Sequence, residues 1–441
     1  MSGTHDTIFA KASGAGQAAI AVLRVSGPGT RAMLEALVGR VPAPRVASLR
    51  RLRAADGEVL DEALVLWFPG PGSFTGEDAA ELHIHGGSAV LAGVAEELAD
   101  LGCRPAEPGE FTRRAFLHGR LDLTQAEAIA DLIAAETPAQ RRQALRQTDG
   151  ALARLYQGWT ERATRLLAHQ EAAIEFDLDD LPSDLAERAR VAAAGLAAEI
   201  GKHLDDGGRG ERLREGLSIA ILGAPNAGKS TLLNALIGRE AAIVSAIPGT
   251  TRDVVEVRLD LGGVPAVLAD TAGLRASGDE IEREGIRRAR ARGNQADLVL
   301  AVFPADAPPD AETLSLAEAR PDAVLIATKS DLAPPPATLL GRPVLATAAP
   351  TGVGLDALKA ALVGLAASRA GLTDAPALTR ARHRAALTEA VSWLVEAGQA
   401  ALPELAAEAY RSAVSALGRL TGRVGVEDIL DVVFRDFCIG K

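Results

Sequence analysis

Residues 223–230, with the sequence GAPNAGKS, have the residue types and the spacing needed to hold a chain of phosphates. They match the pattern G-x-x-x-x-G-K-[ST], directly after one apolar run and before the helical run TLLNALIG. Glycines let backbone N–H groups converge on phosphate oxygens, and the start of a helix adds a favourable dipole. We expect Lys229 to reach the β- and γ-phosphates of a nucleotide, and the Ser230 hydroxyl to bind Mg²⁺.

A second segment, Thr328-Lys329-Ser330-Asp331, follows the apolar run AVLIA and is similar to the NKxD pattern that recognises guanine. The Asp331 carboxylate can accept hydrogen bonds from both the ring N–H and the exocyclic amine of guanine, and adenine offers no such pair of donors. The stem of Lys329 can lie along the face of the base. Thr328 stands where Asn is usual. Asp331 favours GTP and therefore opposes the alternative of a P-loop ATPase.

Two further segments predict contacts to Mg²⁺ and to the γ-phosphate. Asp270 begins the DxxG element DTAG, in which the Asp would hold Mg²⁺ through water. Between the two nucleotide motifs, Thr251 in GTTRD supplies a second oxygen for Mg²⁺. Leu274 occupies the position at which Ras-like enzymes carry the Gln that orients the attacking water. Either hydrolysis is slow, or another polar residue orients the water and another positive charge assists the reaction.

The predicted nucleotide contacts lie in five segments. These are the phosphate loop (residues 223–230, with Thr231 directly after it), two switch segments (245–251 and 270–273), the base-reading segment (328–331) and a loop after it (348–350). They are Asn226, Ala227, Gly228, Lys229, Ser230, Thr231, Ser245, Ala246, Ile247, Pro248, Gly249, Thr250, Thr251, Asp270, Thr271, Ala272, Gly273, Thr328, Lys329, Ser330, Asp331, Ala348, Ala349 and Pro350.

The elements that must position these residues alternate along the chain. Short β-like runs (AIAVLRVSG, ALVLWFPG, AAELHIHGG) and a helical stretch at Ser88–Leu101 predict an α/β region up to about residue 117. A helical pattern follows to about residue 214, interrupted near DLDDLPSD. The runs LSIAILG, VPAVLAD, DLVLAVF and AVLIAT then alternate with helical segments and predict a mainly parallel sheet. The Pro-rich segments APPDAE and LAPPPATLL predict exposed loops, and the remainder is helical again.

The fold class is therefore α/β plus all-α. The two helical blocks are either two domains or one domain with an insertion.

Composition excludes several classes of protein. The 441 residues are 48% hydrophobic and 24% charged, which is ordinary for a globular protein and excludes wholesale disorder. Neither an apolar run long enough to span a membrane nor the pattern of a signal peptide is present, so we expect no membrane association. Two cysteines fit a reducing cytosol. The net charge of −11 means that any contact with RNA must use a local basic patch.

The motifs GAPNAGKS, PGTTRD, DTAGLR and the C-terminal FCIGK resemble the MnmE (TrmE) family of tRNA-modification GTPases. The segments SFTGEDAAELHIHGG, RPAEPGEFTRRAFLHGRLDLTQAEAIADLI and LREG are similar to that family as well. The resemblance implies an N-terminal folate-binding and dimerisation domain at 1–118. It also implies a helical domain in two parts, 119–214 and 373–441, and an inserted Ras-like P-loop G domain at 215–372.

The same resemblance implies an activity and its partners. A cytoplasmic homodimer would hydrolyse GTP and act with the FAD-dependent partner MnmG as a heterotetramer. The two proteins would install an aminomethyl or carboxymethylaminomethyl group at C5 of the wobble uridine of certain tRNAs. The implied cofactors are Mg²⁺, K⁺ and a one-carbon derivative of tetrahydrofolate.

Residues for hydrolysis follow from the resemblance, one motif at a time. Asn226 corresponds to the family's K⁺-binding Asn, and Ser245, Ile247 and Thr250 fall where a loop supplies the remaining oxygens. A K⁺ ion beside the phosphates would stabilise developing charge, as an arginine finger does elsewhere. Glu282 stands where the family has a catalytic Glu that orients water, which would answer the missing Gln. The alternative for Glu282 is a solvated charge on a helical stretch.

Residues for folate are carried over in the same way. Arg24, Glu81, Arg120 and Lys441 match positions that contact the folate in the family. Basic groups suit the glutamate carboxylates of the folate, and a carboxylate suits the donor edge of the pterin. Arg120 stands where Lys is frequent. The positive charge is kept, but the planar guanidinium with its several N–H donors replaces a compact ammonium group. Cys438 is either a residue of this site or a buried small apolar side chain.

Two other signals have plain structural explanations. His83 and His85 would lie on one face of a strand, but a zinc site needs further ligands and the sequence has no Cys/His cluster. The basic run Arg141, Arg142 and Arg146 is either a contact for tRNA or a solvated helix face.

The main competing function is a regulatory or ribosome-assembly GTPase, whose product is a conformational state rather than a modified base. Such proteins share the phosphate loop and the DTAG element, so the nucleotide-binding region does not discriminate between the two functions. The N-terminal segments and the FCIGK ending favour tRNA modification.

Overall fold

The computed structural model describes residues 6–14, 16–175, 185–239, 256–269, 296–371 and 376–424, together with residues 430, 433, 434, 437 and 440. It divides into two compact units. The first contains Met1–Ala130, Gln147–Leu196 and Ser392–Lys441, and the second contains Asp131–Arg146 and Ala197–Val391. Within the described ranges, no helix has the length and apolar character needed to cross a bilayer. The predicted α/β plus all-α fold class is confirmed, whereas the predicted domain boundaries stay predictions.

The helices, in chain order, are α1 Thr30–Val38, α2 Ser88–Asp100, α3 Glu110–Leu117, α4 Leu123–Ala134, α5 Pro138–Thr148, α6 Ala151–Glu175, α7 Leu185–Leu204, α8 Arg209–Glu215, α9 Lys229–Arg239, α10 Ala311–Ala319, α11 Leu355–Ala370, α12 Ala381–Gln399 and α13 Pro403–Thr421.

A six-stranded sheet forms the α/β part of the first unit. Its strands are β1 Thr7–Lys11, β2 Ile20–Ser26, β3 Ser48–Arg53, β4 Val59–Phe68, β5 Ala79–His85 and β6 Cys103–Pro105. They lie in the order β3-β4-β5-β2-β1-β6, and neighbours run antiparallel except for β1 and β6. Alternate side chains of the strands face α1 and α2 and form one apolar core, which includes Leu23, Val65, Leu82, Leu34 and Leu98. The opposite face of β2 and β5 carries the polar side chains of interest.

The sequence predicted β2, β4 and β5 correctly but missed the other strands of this sheet. β3 has the sequence SLRRLR and buries only Leu52, so its sequence lacks the apolar alternation that marks a half-buried strand. β6 has three residues, which is too short for any period to be recognised. Their pairing partners, not their own residues, hold these strands in the sheet.

Two long helices of the first unit, α6 and α13, pack against each other. The buried residues of α6 recur at alternating spacings of three and four, and they are Leu152, Tyr156, Trp159, Ala163 and Leu166. This is the period that places side chains on one face of a helix. The partner α13 presents mostly small buried residues, among them Ala406, Ala409, Ala413 and Ala416. Small side chains on one helix therefore accommodate the large rings of the other.

A seven-stranded sheet forms the centre of the second unit. Its strands are β7 Leu217–Leu222, β8 Glu256–Leu261, β9 Val264–Ala269, β10 Leu298–Pro304, β11 Val324–Thr328, β12 Thr338–Leu339 and β13 Arg342–Ala346. They lie in the order β12-β13-β11-β10-β7-β9-β8, and only the two edge strands are antiparallel to their neighbours. The four predicted apolar runs are β7, β9, β10 and β11, as expected for a mainly parallel sheet. The segment LAPPPATLL was predicted to be an exposed loop, but its residues Thr338–Leu339 form β12, which pairs with β13.

A shared carboxylate holds the two segments through which the chain enters and leaves this sheet. Asp131, in α4, accepts hydrogen bonds at Oδ1 from Arg214 Nε at 3.1 Å and from Arg380 Nη2 at 2.7 Å. Arg214 lies in the last turn of α8, directly before β7, and Arg380 directly precedes α12. The Asp131 side chain is only 15% exposed, so solvent screens these two ion pairs weakly. One side chain therefore fixes both ends of the nucleotide-binding sequence.

Candidate functional site

The predicted phosphate loop connects β7 to α9 at the carboxyl end of the parallel strands. Two of its glycines are required sterically. A Cβ atom on Gly223 would lie 2.4 Å from the Val302 carbonyl oxygen, and Gly228 has a φ of +86°. Asn226 also has a positive φ, +61°, a conformation that Asn tolerates better than most residues. The loop and the first turn of α9 together form the arrangement that binds phosphate through backbone N–H groups.

Lys229 begins α9 and turns back over the loop. Its ammonium donates hydrogen bonds to the carbonyl oxygens of Gly223 at 2.6 Å and Ala224 at 2.7 Å. The charge is therefore held directly above the loop, within reach of a phosphate chain. Ser230 and Thr231 follow in the same turn and are exposed, so a hydroxyl suited to Mg²⁺ is accessible at the helix N-terminus.

Thr328 connects the phosphate loop to the base-reading segment. Its hydroxyl donates to the Ala227 carbonyl oxygen at 2.5 Å, across 101 positions of sequence, and lies 3.3 Å from the Phe303 carbonyl oxygen. The Thr328 side chain is buried at the end of β11. A Cβ atom on Gly228 would lie 3.1 Å from the same hydroxyl, so the two segments are in close contact. The threonine that stands in place of the usual Asn thus makes a bond from the base-reading segment to the phosphate loop.

The base-reading segment also contacts the loop predicted to follow it. Ser330 N–H donates to the Thr347 carbonyl oxygen at 3.1 Å, at the carboxyl end of β13. The next residues, Ala348 to Pro350, form a turn in which Ala348 N–H donates to the Val353 carbonyl oxygen at 2.9 Å. Asp331 is exposed at the tip of its turn, where its carboxylate is accessible to a base. Phosphate loop, base-reading segment and following loop therefore lie along one edge of the sheet, at the carboxyl ends of its strands.

Lys329 makes a contact that the sequence did not predict. Its Nζ atom lies 3.1 Å from each carboxylate oxygen of Asp306, which follows β10. The two side chains are each 34% exposed. The sequence contained one indication of this contact, because Asp306 lies just after the apolar run DLVLAVF. Residues that follow neighbouring parallel strands lie at the same edge of the sheet, so Asp306 and Lys329 could be expected to meet there.

Other predicted residues of the nucleotide site lie outside the described residues. For the switch segments and K⁺ loop these are Ser245, Ala246, Ile247, Pro248, Gly249, Thr250, Thr251, Asp270, Thr271, Ala272, Gly273 and Glu282. Their roles stay predictions. Asn226 and Ser230 are the members of the predicted K⁺ and Mg²⁺ sets that the described ranges include.

Arg24 and Glu81, both predicted to contact folate, are paired with each other. They are direct neighbours in the register of β2 and β5, and Arg24 donates to Glu81 Oε1 through Nε at 3.2 Å and Nη2 at 2.9 Å. The Arg24 guanidinium also lies 5.8 Å from the centre of the Phe74 ring and 5.9 Å from that of Phe111. Cation–π contacts of this kind fix a guanidinium in place. Both charged side chains remain about one-fifth exposed, at 21% and 23%.

Arg120 lies against the same loop that carries Phe74. A Cβ atom on Gly76 would lie 3.3 Å from Arg120 Cγ and 3.0 Å from His118 Cβ. His118 Nδ1 lies 2.8 Å from the Thr75 carbonyl oxygen, which fixes the loop. The Arg120 side chain is exposed. The loop at residues 73–77 therefore approaches Arg24 through Phe74 and Arg120 through Gly76.

Gly440, one of the described residues near the C-terminus, lies against the sheet of the first unit. A Cβ atom on Gly440 would lie 2.4 Å from the Lys11 carbonyl oxygen, at the end of β1. Lys11 is paired in register with Leu23, the neighbour of Arg24. The predicted Lys441 and Cys438 lie outside the described residues. Burial raises the pKa of the other cysteine, Cys103, to about 11, so its thiol is a poor nucleophile near neutral pH.

The two histidines of β5 have carboxylate partners. His83 Nε2 lies 3.4 Å from Glu81 Oε2, and His85 Nδ1 lies 2.7 Å from Asp61 Oδ1. Among the described residues, no group of three or more His, Cys, Asp and Glu side chains is placed to hold a metal ion. Both imidazoles therefore serve as hydrogen-bonding groups on the polar face of this sheet.

Comparisons with known proteins match the whole chain. The model of the MnmE helical domain matches residues 123–438, and that of the GTP-binding protein TrmE N-terminus matches residues 7–120. The tRNA modification GTPase MnmE of Gluconacetobacter diazotrophicus is 56% identical over 438 residues, which are 98% of each chain. The tRNA modification GTPase MnmE of Paramagnetospirillum magneticum is 56% identical over 442 residues, which cover 99% of this chain and 100% of that protein. The chain therefore belongs to the family of tRNA modification GTPases called MnmE.

Proposed function

We propose that this chain binds and hydrolyses GTP at the edge of the seven-stranded sheet, in the service of tRNA modification. The observation that carries the proposal is the hydrogen bond from Thr328 to Ala227, which joins a phosphate-binding loop to a segment whose exposed Asp331 suits guanine. The family's relatives over full length are named for the same activity. When bound, Mg²⁺ and K⁺ would neutralise charge that develops on the phosphates.

The chain's own residues have distinct tasks in this proposal. Lys229 and the N–H groups of the loop hold the β- and γ-phosphates, and Asp331 reads the edge of the base. Ser230 and Thr251 would hold Mg²⁺, and Asn226, with oxygens of the 245–250 segment, would hold K⁺. Glu282 would orient the attacking water, which Leu274 cannot do.

We further propose that the product is a modified wobble uridine. With an FAD-dependent partner of the MnmG type, a cytoplasmic homodimer of this chain would add an aminomethyl or carboxymethylaminomethyl group at C5. A one-carbon tetrahydrofolate would supply the carbon when bound. Exposed apolar side chains on the open face of the first sheet, Ile20, Leu49 and Leu64, support self-association, because large apolar groups clustered on a surface favour burial against a partner.

Nucleoside analysis of tRNA from a deletion strain tests this product. We expect the C5-modified wobble uridine to disappear, to return with the wild-type gene and to stay absent with Lys229→Ala. Asp322→Asn is the matched control, because it alters a charged side chain of the same unit at the opposite end of β11. Unchanged tRNA nucleosides together with altered ribosomal particles would favour the regulatory GTPase instead.

The folate site needs a finer assignment than the sequence provided. Glutamate carboxylates and the pterin edge lie at opposite ends of a folate, separated by the p-aminobenzoyl ring. Arg24 and Glu81 touch each other, so they would meet the same end. Glu81 Oε1 already accepts from Arg24, and Oε2, which lies 3.4 Å from His83 Nε2, can accept a further hydrogen bond from a pterin. We therefore assign Arg24 to positioning Glu81 at the pterin, and Arg120 with Lys441 to the glutamate tail.

Calorimetric titration with a stable one-carbon tetrahydrofolate, in monoglutamyl and polyglutamyl forms, tests this assignment. Arg24→Gln should weaken both forms equally, whereas Arg120→Gln should remove the advantage of the longer tail. Arg31→Gln, on the exposed surface of α1, is the control. A loss confined to the polyglutamyl form in Arg24→Gln would reverse the assignment.

A further inference from the structure

The base-reading lysine is held by a carboxylate from a different loop. Lys329 Nζ is equidistant, at 3.1 Å, from the two oxygens of Asp306. Lys329 itself has a φ of +55°, in the left-handed region that lysine seldom adopts. From this position the Lys329 side chain reaches Asp306, which lies just beyond the neighbouring strand β10.

The loop that carries Asp306 is fixed at both ends. At its start, Ala305 N–H donates to the Thr328 carbonyl oxygen at 2.8 Å, directly before Lys329. At its end, the Asp310 carboxylate caps α10 by accepting from Thr313 N–H at 2.8 Å. Pro308 and Pro309 between these points further restrict the backbone. Asp306 is thus presented to Lys329 by a rigid segment.

We propose that Asp306 is a positioning residue for the nucleotide base: it holds the stem of Lys329 where the face of guanine would lie. The proposal rests on the function proposed above. A free lysine loses much side-chain freedom when a ligand fixes it. An ion pair that fixes the lysine beforehand removes part of that loss from the binding step.

This role differs from that of Asp331 in a measurable way. Asp331 reads the exocyclic amine at the edge of guanine, which inosine nucleotides lack. Lys329 packs on the face of the ring, which guanine and hypoxanthine share. A change at Asp306 should therefore affect guanosine and inosine nucleotides by the same factor.

Isothermal titration of the full-length protein with GDP and with inosine diphosphate tests the proposal. We expect Asp306→Asn to weaken both ligands by about two- to fivefold at low ionic strength, the scale of an exposed ion pair. The loss should shrink as salt is added, because salt screens such pairs. In steady-state GTP hydrolysis, the larger part of the loss should fall on KM rather than on kcat, and Asp306→Glu should restore part of the affinity.

Two controls separate positioning from general damage. Asp322→Asn removes a carboxylate of similar exposure, 36%, that pairs with Arg320 and Arg369 at the other end of β11, and it should leave both affinities unchanged. In a Lys329→Met background, Asp306→Asn should have no further effect.

Three results would overturn the inference. Unchanged affinities in Asp306→Asn would remove it, and unequal losses for the two ligands would place Asp306 at the base edge. A loss that persists in the Lys329→Met background would mean that Asp306 only supports its own loop. Failure of the wild type to bind GDP would instead refute the proposed function, and the inference with it.

Discussion

Removal of the Thr328 hydroxyl tests whether the phosphate loop depends on the base-reading segment. Valine has the same shape, so Thr328→Val deletes the bond to Ala227 without leaving a cavity. Thr328 is buried, at 5% exposure, and water has poor access to the carbonyl that loses its donor. Leaving a buried acceptor without this donor costs about 1–3 kcal/mol, compared with the smaller net value of an ordinary hydrogen bond.

The cost should appear as local opening of the loop. We expect amides of residues 227–233 to exchange with solvent about 5- to 150-fold faster in Thr328→Val, which is the factor that corresponds to about 1–3 kcal/mol. Affinity for GDP should fall by no more than that factor, because the bond is already present before a ligand binds. Hydrogen exchange followed by mass spectrometry gives the first quantity, and calorimetry gives the second.

The matched variant is Thr328→Ser, which keeps the hydroxyl and loses only a methyl group. Its exchange rates should remain much closer to those of the wild type. If serine and valine accelerate exchange equally, packing rather than the hydrogen bond holds the loop. If neither variant changes exchange, the contact between the two segments contributes nothing to the loop, and the reasoning fails.

Four other predictions concern catalysis, specificity and stability. Replacing K⁺ by Na⁺ at matched ionic strength should reduce GTP turnover about 10²-fold or more, and equal rates would remove K⁺ from the site. Asp331→Asn should let xanthosine triphosphate compete with GTP, because the amide no longer matches guanine's two donors; unchanged preference in competition binding would contradict this. Glu282→Ala should lower kcat by about 10²-fold with little effect on GTP affinity, and single-turnover hydrolysis beside nucleotide titration separates the two. Asp131→Asn should lower the free energy of unfolding by about 1–2 kcal/mol, since two ion pairs of low exposure weaken together; urea denaturation with an unchanged midpoint would refute it.

The phosphate-loop part of the candidate nucleotide site could be predicted because its information is local, whereas the predicted switch and K⁺-loop residues lie outside the described residues. An apolar strand, a glycine turn and a helix follow one another within residues 217–239, so the chain specifies the phosphate loop without help from distant residues. The contacts of Thr328 and Lys329 could not be predicted in the same way. Each depends on which strand lies beside β11, and the order β11-β10-β7 is set by packing of the whole sheet.

The first sheet shows the same limit more sharply. Alternation in β2 and β5 predicts that Arg24 and Glu81 each project from one face, but it contains no information about register. A shift of one residue would have sent one of the two to the buried face. The observed register places them opposite each other, where apolar neighbours on the core face, such as Leu23 and Leu82, are also matched.

That register changes the chemistry that can be assigned to the pair. Considered separately, an arginine suits a carboxylate tail and a glutamate suits a pterin, so the two residues suggest the two ends of one folate. In contact, they form a pair whose opposite charges offset each other. Glu81 Oε2 lies 3.4 Å from His83 Nε2 and can accept a further hydrogen bond, and the Phe74 and Phe111 rings lie beside the guanidinium. Such a unit is suited to a flat, hydrogen-bonding ring system rather than to an anionic tail. In the proposed folate site, the positive charge that a tail requires would then come from other residues, such as the exposed Arg120, whose side chain lies close to Gly76 of the 73–77 loop.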